Sequence, residues 1–382
     1  MKTFITGGKI ILSDTRIEQK TLVIENQKIS EIIANLPKPS DSDKVVNAQG
    51  KWVLPGLIDI HVHGACGLDM MDCSTDAIHT LGHYFAAHGV TSYLPTTWSA
   101  SPELMLKATE NVANCPQTEN GARHLGVHIE GPYLSVKHRG AQLKDLIRKP
   151  DPIEYQKWLD TGVVKLITIA PENEGALEFI DLAVKQGVEF SIGHSGASYE
   201  QVIEAADHGV KQATHLYNGM LGLHHRNPGT VGAILTDDRI FAQIIADGVH
   251  VHPAMIKLAV RAKGISRIIL ITDSIRGTGL PDGDYDYYEQ KFTVTNRIAC
   301  TPEGRLSGST LTLDQALRNM IKFTGMPLNE VLPMATSVPA EAMGWSGQLG
   351  ALKPGADADV IILNDDLIVE KTFVLGKEVF SK

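Results

Sequence analysis

The sequence predicts an α/β protein: a TIM-like (β/α)8 barrel joined to a small β-sandwich domain built from both termini. Three observations carry that expectation. Eight short apolar runs recur through the middle of the 382-residue chain, helix-like segments lie between most of them, and strand-rich stretches stand at either end. Near-continuous apolar strands separated by helices are parallel strands buried on both faces, and eight such units favour a barrel over an open sheet.

Residues 4–12, 21–25 and 28–33 read as strands, separated by turn-prone stretches at 13–16 and 25–28 and followed by a polar segment at 38–43. The eight apolar runs are 56–62, 90–95, 125–129, 164–169, 188–192, 212–216, 241–246 and 267–272, with Gly and Pro punctuating their ends. Ile78, Leu81 and Phe85 recur at helical spacing within 77–88, and 174–186 and 199–208 read as further helices. A turn-rich, strand-like insert is expected at 280–305, then helical segments at 311–323 and 328–343. Residues 359–363, 367–374 and 377–380 are β-branched strands. Neither end alone has enough strands to be stable, so residues 1–52 and 350–382 are expected to co-fold as one discontinuous β domain around a barrel domain at 53–349.

Composition narrows the function. With 43% hydrophobic and 21% charged residues and a mean hydropathy of -0.05, the chain has an ordinary globular composition, which excludes disorder and collagen-like repeats. Its net charge of -9 is spread without long like-charge runs, so no nucleic-acid partner is expected. No window approaches the roughly 18 consecutive apolar residues of a membrane helix, and the apolar run near the start is far short of a signal-peptide core. No membrane partner is expected, and a cytoplasmic location is. Cys66, Cys73, Cys115 and Cys300 lack CxxC spacing, which suggests neither a disulfide framework nor a thiolate zinc site and fits a reducing compartment.

Chemistry in such a barrel belongs at the C-terminal strand ends. His61 and His63 end the first run, His128 and Glu130 the third, His194 the fifth, His215 the sixth, Asp247 and His250 the seventh, and Asp273 the eighth. Alternate strand residues share a face, so His61 and His63 stand about 7 Å apart, a spacing at which two imidazoles grip one ion. Imidazole with carboxylate suits zinc, iron or a similar first-row ion rather than calcium. A metal lowers the pKa of its water toward 7, and a carboxylate such as Asp273 can take that proton and pass it to a leaving group, which is hydrolysis. By contrast, His79 and His83 occupy a helix flank and are expected to be solvated.

The stretch at 55–64, Asp273 in the eighth run and the Lys353-Pro354-Gly355-Ala356-Asp357-Ala358-Asp359 motif resemble the amidohydrolase superfamily. Many of its dinuclear members carry a carboxylated lysine at the end of strand four, but here Lys165 lies at the start of that run. The bridging carboxylate would be Glu130, in His128-Ile129-Glu130-Gly131-Pro132. With the motifs around His194, His215, His250 and Ser307, the whole chain resembles the N-acetylglucosamine-6-phosphate deacetylase family. That resemblance implies metal-dependent hydrolysis of the acetamide of a phosphorylated N-acetyl amino sugar, in amino-sugar catabolism and cell-wall sugar recycling. It implies Glu130, His194 and His215 as ligands of the principal zinc or iron, with His61, His63 and Glu130 holding a second ion. Ala141, Gln142, Asn218, Gly219, His250, Leu306, Ser307 and Gly308 would bind substrate, Asp273 would be catalytic, and Arg226 would reach the phosphate in a neighbouring subunit of a homodimer. Some members have a histidine where Gln142 stands; glutamine donates a hydrogen bond but carries no charge, so a binding role is expected and more of the oxyanion stabilisation falls to the metal. Another amidohydrolase, acting on a cyclic amide or a base, would need no phosphate site. A non-catalytic relative would have lost ligands, and none of the expected positions is lost.

Overall fold

A computed structural model, describing residues 1–287 and 290–382, gives a mixed α/β fold. The eight apolar runs become the parallel strands β1 (Leu57–Val62), β2 (Val90–Pro95), β3 (Val127–Glu130), β4 (Val164–Ile169), β5 (Glu189–Ile192), β6 (Gln212–Ala213), β7 (Phe241–Ile245) and β8 (Ile268–Ile271). Strands β3 to β8 pair in sequence order as a six-stranded half-barrel, while β1 and β2 form a second parallel sheet with Arg123–His124. A bridge between Thr96 and His128 links the two sheets. On the far side the chain leaving β8 meets β1: the Asp273 N–H donates to the His61 carbonyl at 2.9 Å, and the His63 N–H to the Ser274 carbonyl at 2.9 Å.

These strands form because both faces are covered. Every residue of β1, β2, β3, β7 and β8 is buried, and helices fill the connections. Local signals set the helix starts: the Ser74 side chain accepts from the Ala77 N–H to open Thr75–Ala87, and Ser198 with Gln201 forms a capping box on Tyr199–Asp207.

Three expectations need correction. The strand expected at 4–12 is two, Thr3–Thr6 and Lys9–Ile11, because Gly7 turns the chain at φ +80° and sends the halves into different sheets. The sixth run, expected at 212–216, keeps strand geometry only over Gln212–Ala213, since His215 sits at φ 33°. The helix expected at 328–343 breaks into Leu328–Val331, a 3-10 turn Leu332–Ala335 and Ser337–Ala342, as Pro333 and Pro339 each remove a backbone donor. Within the insert expected at 280–305, three antiparallel strands form (Gly283–Tyr287, Gln290–Thr295 and Ile298–Cys300); positions 288–289 lie outside the described residues.

Strands from both ends share one six-stranded sheet, ordered Lys377–Ser381, Val369–Val374, Val360–Leu363, Trp52–Pro55, Lys9–Ile11, Ile17–Gln19. A second sheet of four strands holds Thr3–Thr6, Thr21–Glu25, Lys28–Ile33 and Lys44–Asn47. The two contribute to a core of their own that includes Ile5, Ile10, Leu22, Val53, Val360 and Phe373. The Lys353 to Asp359 motif ties this core to the parallel strands: Arg123 reaches Asp359 at 2.6 Å and Asp357 at 3.0 Å, and Lys28 reaches Asp357 at 2.6 Å. Both carboxylates are buried, at 3% and 5% side-chain exposure. Deleting Arg123 would leave buried Asp359 without a cation while Asp357 keeps Lys28, so Arg123→Ala should lower unfolding stability by about 3 to 5 kcal/mol. Urea denaturation is the check, and an unchanged midpoint would show that this clamp holds nothing.

Candidate active site

The strand ends deliver the side chains that the sequence singled out to one point. Near-extended β1 projects His61 and His63 to the same face, with their Nε2 atoms 3.2 Å apart. His63 Nδ1 donates to the Thr96 carbonyl at 3.1 Å, and His194 Nδ1 to the His138 carbonyl at 2.9 Å. A carbonyl can only accept, so in the neutral ring each Nε2 presents a lone pair inward. Glu130 Oε1 lies 3.2 Å from His194 Nε2 and 3.1 Å from His215 Nε2, and those two nitrogens are 3.1 Å apart. Asp273 Oδ1 lies 3.1 Å from His63 Nε2 and 3.5 Å from His61 Nε2.

Two groups result, Glu130 with His194 and His215, and His61 with His63 and Asp273, each with all of its ligating atoms within 4.8 Å of one another and all six residues buried. Carboxylate oxygens and imidazole lone pairs repel when packed this closely away from water, and a divalent cation removes the repulsion. The donor set therefore fits a first-row metal. Glu130 stands between the groups, 3.7 Å from His61 and 3.6 Å from His63.

The backbone is bent to make this possible. His194, His215 and Asp273 have φ of 47°, 33° and 51°, a left-handed region costly for residues with a Cβ and concentrated at functional sites. Gly219 makes room alongside: a Cβ there would lie 2.6 Å from His194 Nδ1 and 2.8 Å from the His138 carbonyl oxygen.

Electrostatics follow from burial opposed by charge. Burial works against the Glu130 and Asp273 carboxylates, yet the facing histidines hold both below the usual carboxylate range. Burial lowers His61 to about 4. It also disfavours charge on His63 and His194, but Asp273 and Glu130 respectively outweigh it and raise both. Beneath the site Asp59 accepts from the Thr272 hydroxyl at 2.6 Å, and burial pushes its carboxyl up to about 7.

A cavity of about 230 Å3 opens onto Glu130, His194, His215 and Asp273. Of the expected substrate-binding residues, Ala141, Gln142, Asn218, Gly219, His250, Leu306 and Gly308 line it. Gln142 is anchored at both ends: its Oε1 accepts from the Ser99 N–H at 2.8 Å, which turns its Nε2 toward Glu130 Oε2, also at 2.8 Å. His250 Nδ1 pairs with Asp247 at 2.6 Å. Ser307 is buried but outside the lining, with its N–H on the Ala299 carbonyl. Arg226 is exposed, rests on His225 Nε2 at 2.7 Å and does not line the cavity of its own chain. His128 stays out of both metal groups because the Ile60 carbonyl and the Thr168 hydroxyl occupy its two nitrogens. His79 and His83 reach only backbone carbonyls, of Pro116 and Glu119. Sequence reasoning missed Trp98 and Arg305, which both line the cavity. Trp98 stands just past β2, where the strand-end rule that found the histidines applies equally.

The signature of the amidohydrolase family matches residues 52–379. An N-acetylglucosamine-6-phosphate deacetylase of Vibrio furnissii is 41% identical over 333 residues, which span 86% of this chain and 83% of that protein. An N-acetylgalactosamine-6-phosphate deacetylase of Escherichia coli O157:H7 is 39% identical over 87% of this chain and 89% of its own. The crystal structure of N-acetylglucosamine-6-phosphate deacetylase from Pasteurella multocida matches the fold with a TM-score of 0.94 at 29% identity, over 100% of both chains. On sequence and fold together, the chain belongs to the amidohydrolase family, among its N-acetylglucosamine-6-phosphate deacetylases.

Proposed function

We propose that this protein hydrolyses the acetamide of N-acetyl-D-glucosamine 6-phosphate to D-glucosamine 6-phosphate and acetate, using bound zinc or iron. The observation that carries the reading is the pair of buried three-ligand groups opening onto a cavity beside Asp273. Glu130, His194 and His215 would hold the principal metal, and His61 and His63, with Glu130 and Asp273 in reach, a second. A divalent metal in this position supplies Lewis acidity to the amide carbonyl and lowers the pKa of a water molecule toward 7.

The chain's own residues do the rest. Asp273, held in its carboxylate form by the facing histidines, accepts the proton of the attacking water and delivers it to the departing amine nitrogen. Gln142 fixes Glu130 and offers a neutral donor beside the carbonyl. Ala141, Asn218, Gly219, His250 and the loop from Leu306 through Ser307 to Gly308 would seat the sugar phosphate. Arg226, exposed and outside its own cavity, would bind the phosphate in the partner's site of a homodimer. The two parallel sheets are read as one (β/α)8 barrel at 53–349, and residues 1–52 with 350–382 as a β-sandwich domain that shares the strand Trp52–Pro55 with it. Four free cysteines, and the absence of any helix among the described residues long and apolar enough to cross a membrane, support a cytoplasmic location.

Acetate release measured side by side on the gluco and galacto substrates, with metal content, tests the activity and its stereochemistry. Glu130→Gln should lose bound metal and activity together; a fully metallated, fully active variant removes Glu130 from the site. Asp273→Asn should lower kcat by roughly 10² to 10⁴ with little change in KM. An unchanged kcat moves the proton transfer elsewhere. For Arg226, mixing Asp273→Asn chains with Arg226→Ala chains and allowing subunit exchange should raise activity above either parent, since one site of each hybrid dimer is intact. No recovery after exchange is verified by mass would mean that Arg226 does not act in trans.

A further inference from the structure

We infer that Trp98, backed by the β insert, is the wall that limits the acyl group this enzyme removes to acetyl. This inference rests on the deacetylase reading above. Trp98 stacks on His63 at 4.0 Å between ring centroids and 20° between planes, and it lines the cavity. His63 Nε2 is 3.1 Å from Asp273 Oδ1, so the indole flanks the spot where the amide carbonyl must sit to be attacked. Among the described lining residues, Trp98 and Leu306 are the large apolar side chains; the others are polar, charged, glycine or alanine. The sugar and its phosphate are polar and belong toward Asn218 and His250. The acyl methyl group needs an apolar contact at the reacting end, and the indole is there.

The wall is built to stay in place. Its loop is pinned on both sides, by the Thr97 N–H on the His128 carbonyl and the Ser99 N–H on Gln142. Behind it lies a small separate core of Ile275, Phe292, Val294 and Ala299, two of which come from the insert strand Gln290–Thr295, and Trp98 packs against that core. One face of the indole is covered by His63 and the ring is backed by the insert, so it has nowhere to retreat when a longer acyl chain arrives. A site of fixed shape discriminates one methylene by about 10- to 200-fold.

The test compares N-propionyl with N-acetyl glucosamine 6-phosphate as the ratio of kcat/KM. The unaltered enzyme should disfavour the propionamide by about tenfold or more. Trp98→Ala should raise the propionyl-to-acetyl ratio about tenfold, with metal content retained. Trp98→Phe, which keeps a ring against His63 and the insert core, should raise it by less. Equal use of both substrates by the unaltered enzyme overturns the inference without any variant. So does a variant that loses acetyl activity through KM with the ratio unchanged, the result expected if the indole stacks on the sugar instead. If the unaltered enzyme releases no acetate from the sugar phosphate at all, the deacetylase reading has failed instead.

Discussion

The buried carboxylate of Glu130 is the constraint on which the site depends. An isolated carboxylate buried in low dielectric is costly, so it is either neutralised or surrounded by groups that favour its charge. Here it is surrounded. The Gln142 amide donates to one oxygen while His194 and His215 meet the other, and the Glu130 backbone N–H donates to the Thr97 hydroxyl. Two of these partners are held in turn, Gln142 by Ser99 and His194 by the carbonyl of His138. Rings and amides that could otherwise rotate are thereby fixed by backbone groups, the condition for a ligand set that does not have to reorganise when it binds an ion.

Beneath the ligands lies a layer of hydrogen-bonded polar residues in place of an oily plug. Thr168 bonds both His128 and Thr214 at 2.7 Å, Ser191 bonds Thr214 at 2.6 Å, and Asp59 ties β1 to Thr272 at the end of β8. Buried polar groups that are satisfied rigidify their surroundings. This layer lets ligands on different strands keep one register while their backbones leave ideal strand geometry at His194, His215 and Asp273.

The alternation of strands and helices was legible because burial on both faces imposes near-continuous apolar runs, and the metal-group residues were legible because strand ends converge in such folds. His61 and His63 needed only the two-residue period. What escaped the sequence were facts of proximity between distant segments. Nothing in the order of residues says that Asp273 joins His61 and His63, that Trp98 folds onto His63, or that the Arg305 guanidinium crosses to the Gly140 carbonyl at 3.0 Å. Backbone conformations specific to single residues escaped too. Residues 4–12 look like one strand until Gly7 divides them, and 328–343 look like one helix until their prolines are weighed as breaks.

The shared sheet also dictates an order of events at the ribosome. Trp52–Pro55 lies between Lys9–Ile11, made shortly before it, and Val360–Leu363, made long after. While the intervening chain is being synthesised, the edge of Trp52–Pro55 that Val360–Leu363 will occupy, with Val53 and Leu54, stays unpaired on a nascent polypeptide. An exposed apolar edge is a template for pairing with other chains. The parallel strands can assemble as they emerge, but the terminal sheet closes only when its late strands arrive, so that edge is open to mispairing until synthesis is nearly finished.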